Sequence, residues 1–404
     1  MPAFLQETNK SGIKIVILCN FFGHMLKYQE NLLASYYVKQ GYSVTVITST
    51  VNSIFDSYAD KYDKTLPASE FFDNGVKIIR LPFSINILNR IRRFHGSRVC
   101  EILNAEQPDF IFSQDIMFNL RECVKYKKTH ANCKISMDYH ADYSNSAKNW
   151  LSLNILHKVV RRIFLHSVLK YIEKIYPVVP AGFVFLHEVY GIPYERMELL
   201  PLGSDTDKAK EVIAQNRGKQ IREKLNIPSD AIVIFTGGKL DPAKKTDLLI
   251  ETFIALSDPR LHLIIIGTTS KENISYKEKL EAMAQNNKHI HFTGWLNGED
   301  VYDYMNASDF AVFPASQSVL WQQAIGMGLP LIVGTCKGQD ASYLNIYNCL
   351  IIMEEKQITV QEIEKNIKKL ITDTTLLDKM KKAALKTSNE YLSYNKIVQQ
   401  TLNF

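Results

Sequence analysis

The chain of 404 residues has six cysteines, at positions 19, 100, 123, 133, 336 and 349, and no two stand at C-x-x-C spacing. A zinc site or disulfide framework is therefore not expected, and the usage fits a reducing cytosol. No apolar run approaches the ~18 residues that span a bilayer. The opening "MPAFLQETNKSG" is polar, so no signal peptide is expected. Excess charge is also small: 48 Lys and Arg against 42 Asp and Glu leave +6. That balance permits an acidic ligand or membrane surface without demanding one. With no recognised binding module, nucleic acid is not an expected partner. Two nucleotide signatures are missing as well. The first apolar strand is not followed by G-x-G-x-x-G, which argues against a nicotinamide or flavin site, and the P-loop pattern G-x-x-x-x-G-K-[ST] is absent.

What is present is an ordinary globular composition, 46% apolar and 22% charged, over a length that suits two domains. Short apolar runs alternate with helical patterns twice over. In the first half these are "IKIVILCN" (13–20), "SVTVITS" (43–49), "KIIRLP" (77–82), "DFIFSQ" (109–114) and "KISMDYH" (134–140). In the second half they are "AIVIFTG" (231–237), "LHLIIIG" (261–267), "IHFTG" (290–294), "DFAVFP" (309–314) and "PLIVG" (330–334). Near-continuous apolar strands joined by helices predict α/β architecture: two parallel sheets, hence two Rossmann-like domains facing across a cleft. The turn-rich "LPLGSDTDKAK" (200–210) is the expected linker. The expected division is 1–204, 205–385 and a final helix, 386–404, packing back on the first domain.

Ligands of such sheets bind at the carboxyl ends of strands, so the loops there carry the candidates. After the first strand, "NFFGHMLKYQEN" holds Gly23, either a plain turn or a point of close backbone approach to a ligand. In "MDYHADYSNS", Asp138, His140 and Asp142 alternate. They form a capping cluster, a metal site, or a group that hydrogen-bonds a polar substrate. In "FTGGKLDPAKKTDLLIETF" (235–253), a strand end, a turn at Gly238 and a helix capped by Asp241 with Pro242 at its first position are expected. Lys244 and Lys245 then fall in the first turn, with Lys239 just before it. Cations there oppose the helix dipole unless an anion binds. The lysines are either solvated or form a phosphate site, with Lys239 and Lys244 reaching one diphosphate. In "FPASQSVLWQQAIGMGLPLIVG" (313–334), Ser316 or Ser318 can cap a helix starting at Val319 or Leu320, or the same groups face the anion. Gln323 lies one turn in, placed to hydrogen-bond a diol.

The second half resembles the donor domain of GT-B glycosyltransferases, specifically the retaining glycosyltransferase family 4, also called group 1. That family carries a strand, then G-R-L-x-x-x-K-G, then a helix; this chain has "GKLDPAKK". Lys239 stands at the family's Arg and Lys244 at its Lys, which implies that both neutralise a nucleotide-sugar diphosphate. Lys245 stands at the family's Gly. "LPLGSD" resembles the P-N-G-V-D hinge, and "IIIGTTS", "HFTGWL" and "YMNASDFAVFP" follow in the family's order. By the resemblance, Trp295 and Leu296 contact the base and His140 lies near the donor sugar. One departure stands out. The family pairs two glutamates in an E-x7-E pattern. Here Gln323 aligns with the second, expected on the ribose, and only Ser316, Gln317 and Ser318 lie near the first.

The resemblance implies sugar transfer from a UDP-sugar, with retention, to a glycan or lipid-linked glycan in bacterial surface polysaccharide or lipopolysaccharide synthesis. The nucleotide sugar is a cosubstrate; no cofactor and no metal are expected, because the lysines supply positive charge. Two basic and apolar stretches, 85–98 and 149–174, are read as amphipathic helices, either simply solvated or docking an anionic membrane. The expected location is cytoplasmic, with the inner membrane face as a docking surface. Two other readings share the architecture: a nucleotide-sugar epimerase, and a non-catalytic sugar-nucleotide-binding subunit.

Overall fold

Ile15, Val16, Ile17 and Leu18 are each at most 1% exposed, which only a central strand covered on both faces provides. This strand, β1 (Lys14–Leu18), sits in the middle of a seven-stranded sheet. The computed structural model describes residues 12–23, 27–52, 65–315, 317–336 and 338–403. By packing, the chain divides into two units, Met1–Pro201 with Ile397–Phe404, and Leu202–Lys396.

In the first unit β1 is followed by β2 (Ser43–Ser49), β3 (Ser69–Asp73), β4 (Val76–Leu81), β5 (Phe83–Ile87), β6 (Ile91–Phe94), β7 (Phe110–Ser113), β8 (Lys134–Tyr139) and β9 (Ile175–Pro177). The sheet order is β3-β4-β2-β1-β7-β8-β9, parallel except at the β3–β4 edge. The antiparallel edge is set by the Asn74-Gly75 turn, both residues having positive φ, the backbone that a two-residue hairpin requires. The stretch 85–98, expected as a helix, instead contains the separate hairpin β5–β6, and a helix begins only at Gly96. Its turn places Leu88 and Asn89 at φ 50° and 54°. At the end of the chain Gln400 donates to Glu198 and to the Leu199 carbonyl, both at 2.8 Å, which anchors that segment in this unit.

The second unit holds β10 (Ile232–Gly237), β11 (Leu261–Ile266), β12 (Ile290–Gly294), β13 (Phe310–Phe313), β14 (Leu331–Gly334) and β15 (Leu350–Met353). All pair in parallel, in the order β12-β11-β10-β13-β14-β15. Alternate residues of β10 feed two cores, Val233 and Phe235 on one face and Ile234 on the other. The two sheets share a winding. Strand order reverses between β1 and β7 in one and between β10 and β13 in the other. Such reversal points leave a crevice beyond the strand ends where ligands bind.

Candidate functional site

The reversal point of the second sheet is built on glycine. Gly238 and Gly267 have φ of 115° and 114°, and a Cβ on Gly267 would sit 1.9 Å from the Gly238 carbonyl oxygen. The Gly267 N–H donates to Gly294 at 2.7 Å, and Gly294 is also left-handed at φ 71°. The ends of β10, β11 and β12 thus meet backbone to backbone, without side chains between them. Trp295 and Leu296 follow directly, both half-buried, with Leu296 packed on the core.

Beyond Gly238 the structure differs from the expected single helix. Asp241 accepts the Ala243 N–H at 2.9 Å and starts one short 3-10 turn, Pro242–Lys244. Lys245 then adopts φ 50°, ψ 36°, and the long helix runs only from Thr246 to Leu256. A left-handed residue cannot continue either helix, so Lys245 breaks the chain direction where a glycine is easiest. Lys244 consequently sits on the turn before the helix rather than in its first turn. Its ammonium donates to the Gln317 carbonyl in the loop after β13. Burial pushes its pKa down to about 8, against smaller opposing effects of Asp241 and Cys336. Lys239 is exposed and has no ion pair among the described residues.

The loop after β13 is held from both sides, because the Gln317 N–H also donates to Gln339 Oε1 at 2.8 Å. Ser318 Oγ accepts from the Leu320 N–H at 3.3 Å, and a Cβ on Gly238 would lie 3.5 Å from that hydroxyl. Val319 is exposed ahead of the helix Leu320–Gly326. Ser316 lies outside the described residues. The paired glutamines separate cleanly. Gln322 is buried, accepting the Gly203 N–H at 2.6 Å and donating to the Tyr343 hydroxyl at 3.2 Å. Gln323, half-buried, makes no side-chain hydrogen bond among the described residues. The second unit therefore brings Gly238, Lys244 and Ser318 together, with Gln323 a turn further on.

The first unit places a different group at its reversal point. The helix Gln29–Lys39 starts soon after β1, and its Glu30 accepts from Gln114, which follows β7, at 2.8 Å. The next residue, Asp115, donates its N–H to Asp138 Oδ1 and accepts the His140 N–H, both at 3.0 Å. His140 Nε2 lies 3.1 Å from Asp138 Oδ2. Burial alone would lower the His140 pKa, but the Asp138 carboxylate outweighs it, helped by Asp115 and Glu30, and holds it at about 9. Burial lifts the Glu30 carboxyl to about 7. Of the three alternating residues, Asp138 and His140 act as a pair. Asp142 caps a turn, accepting the Ser144 N–H at 2.6 Å. Gly23 is buried after β1. Among the described residues no three His, Cys, Asp or Glu side chains are grouped to hold a metal ion. Glu30, Gln114, Asp115 and Gln339 escaped sequence reasoning; the one signal available was that Gln114 and Asp115 follow a strand end.

Residues 218–387 match the family described as "Glycosyl transferases group 1", and residues 31–208 match "Glycosyltransferase Family 4". No curated protein matches the sequence. The fold is similar to that of Anabaena HepE solved with UDP (15% identity, TM-score 0.65, covering 96% of this chain and 98% of that one). It is similar to sucrose-phosphate synthase from Thermosynechococcus elongatus (14%, 0.65, 96% and 97%). WaaG, described as a glycosyltransferase involved in lipopolysaccharide biosynthesis, is also similar (17%, 0.57, 96% and 98%). The fold is that of the GT-B enzymes, two Rossmann-like domains. The family matches on both halves support a group 1 glycosyltransferase.

Proposed function

We propose that the chain transfers a sugar from a nucleotide-diphosphate sugar, expected to be a UDP-sugar, to a glycan or lipid-linked glycan. The acceptor is assigned to surface polysaccharide or lipopolysaccharide synthesis at the inner face of the membrane. The observation that carries this reading is the half-buried Lys244 ammonium at the reversal point of the second sheet, beside the side-chain-free turns at Gly238 and Gly267. A diphosphate there finds a cation fixed by the Gln317 carbonyl and backbone that can approach closely. HepE complexes with UDP and with UDP-glucose among the similar folds support a nucleotide-sugar donor.

The chemistry follows from charge. The bond between the sugar's anomeric carbon and the phosphate oxygen breaks, and the diphosphate leaves with the bonding electrons. Lys244, with Lys239 ahead of its turn, stabilises that developing charge, commonly the largest single term in catalysis. The acceptor hydroxyl attacks from the face being vacated and passes its proton to the departing phosphate, so configuration is retained. No metal is required, because lysines carry the positive charge. His140, kept protonated by Asp138, is assigned a hydrogen bond to a sugar oxygen, and Gln323 the ribose hydroxyls.

A second reading has one specific observation in its favour. Neutral Gln317 and Gln323 occupy the neighbourhood of the two glutamates, and Gln317 serves Lys244 through its carbonyl. A subunit that binds nucleotide sugar without transfer fits that loss of carboxylates. Calorimetry with UDP and UDP-sugars, followed by UDP release with extracted glycan and lipid acceptors, separates the two. The transferase reading expects binding and acceptor-dependent UDP release. Binding without release on any acceptor favours the subunit, conversion of the donor without acceptor favours an epimerase, and no binding removes the donor site.

A further inference from the structure

We infer that the β5–β6 hairpin and the helical segment that follows Asn149 form one surface that docks on a bilayer containing anionic phospholipid, with Leu88 as its inserted tip. The inference deepens the proposed function by naming the surface. Because vesicle binding is measured without nucleotide sugar, either can fail while the other stands.

The hairpin tip is unfavourable for a protein that meets only water. Leu88 is 87% exposed and sits at φ 50°, at the turn closed by an Arg90 N–H bond to the Ile87 carbonyl at 2.9 Å. Such turns favour Asn or Gly, since a branched apolar side chain is strained in the left-handed region. The same residue is thus disfavoured by conformation and by hydration. Ile87 beside it is 54% exposed.

The second element continues this surface. Arg161 donates to the Arg90 carbonyl at 2.9 Å, which ties helix to hairpin. Ser152–Arg161 is wound as a π-helix and passes into the α-helix Arg162–Val168. Leu151, Ile155, Val159 and Ile163 are all exposed and recur every four residues, one stripe on one face. Trp150, 71% exposed, heads the stripe. The inward face is accounted for separately: His157 is buried and bonds the Tyr190 hydroxyl at 2.6 Å.

Charge selects the occupant. Pro82 to Cys100 contains four arginines and no carboxylate; Tyr143 to Ile172 contains three lysines and two arginines, again with none. Arg93 is committed to Glu122 at 2.7 Å. Arg90, Lys148, Lys158 and Arg162 are exposed and have no carboxylate partner among the described residues. An apolar stripe rimmed by unpaired cations matches headgroups above acyl chains, and long basic side chains keep their charge at that level. No helix among the described residues is long and apolar enough to cross a membrane, so the surface lies on the bilayer.

The test uses the full chain and vesicles of phosphatidylcholine with or without 30% phosphatidylglycerol (a chosen composition, about one anionic lipid in three). Sedimentation should show binding only to the anionic vesicles, weakening as salt rises. Trp150 emission should shift to the blue on binding, since Trp321 is buried and Trp295 half-buried. Val159→Asp with Ile163→Asp should reduce binding at least tenfold. Leu88→Asn should weaken binding several-fold while raising the thermal midpoint by about 2 °C or more, because Asn tolerates the turn. That opposite pair of effects separates an insertion role from a structural one. The inference is overturned by equal binding to neutral and anionic vesicles, or by none. It is also overturned if Leu88→Asn, or Val159→Asp with Ile163→Asp, leaves vesicle affinity unchanged.

Discussion

The two sheets are wound alike yet end in opposite chemistry. In each, one side chain bridges the loops that flank the reversal point. In the first unit the bridge is Glu30 to Gln114, backed by Asp115 and Asp138, with His140 held between carboxylates. In the second it is Lys244 to the Gln317 carbonyl, beside three left-handed glycines. Topology therefore fixes where a ligand can bind, and side-chain charge decides which kind. An anion suits the second crevice, where glycine exposes backbone and the Lys244 ammonium is fixed at the strand ends. The first crevice sets carboxylates around His140, an arrangement that can accept from and donate to hydroxyls.

The comparison breaks most sharply at Lys244. Lys244→Ala should remove roughly 2–4 kcal/mol of transition-state stabilisation, about 30-fold to 10³-fold in kcat/KM. Steady-state kinetics checks this, with Asp138→Asn as the contrast, because that change should leave UDP affinity intact. If both variants bind UDP as the parent does, the assignment of charge to function is wrong.

Gln323→Ala should cost roughly 1–3 kcal/mol of donor affinity, by leaving ribose hydroxyls poorly paired. Gln323→Glu should remain active, since a carboxylate also accepts from ribose hydroxyls. Calorimetry on parent and both variants decides, and equal affinities for parent and Ala variant would remove Gln323 from the site.

The two crevices should also answer pH in opposite directions. His140 titrates at about 9 in the fold against an ordinary value near 6.5, so the folded state holds the extra proton between those values. Its contribution is complete below about 6.5 and is lost as pH rises through 9. Lys244 titrates at about 8 against 10.5, so the folded state is the less protonated one there and its burden eases as pH rises from 8 to 10.5. Nucleotide affinity should accordingly fall above pH 8, as the empty site loses its cation. In Asp138→Asn the His140 proton resonance should titrate below 6.5, because burial then acts without its opposing carboxylate. A midpoint still near 9 would mean that Asp138 is not the cause.

The smallest effect is expected at Lys245. Lys245→Gly should stabilise the second unit by about 0.5–1 kcal/mol, since glycine adopts its left-handed backbone without strain. Donor binding should hardly change, and a denaturant midpoint measures the gain.

How much of this was legible in the chain depended on distance along it. The central strands were readable because four or five adjacent apolar residues admit few other burials. The β3–β4 edge had its Asn74-Gly75 signal and went unread, since "SEFFD" is only half apolar. The β5–β6 hairpin read as a helix because Ile85, Leu88 and Ile91 recur at helical spacing and no Asn-Gly marks the turn. By itself the sequence determined the alternation of strand and helix, the glycines at the strand ends and the presence of Lys239 and Lys244 after the first strand of the second unit. These rest on local rules of burial, backbone freedom and spacing. Only the tertiary structure decided that Lys244 stands on its own turn and meets the loop 73 residues further on. Only it decided that Gln322 is a clamp while Gln323 is not, and that Glu30, Gln114, Asp115, Asp138 and His140 share one crevice. Parallel strands bring together loops that lie far apart in the chain, and a partner supplied across such a distance leaves no local trace in residue spacing.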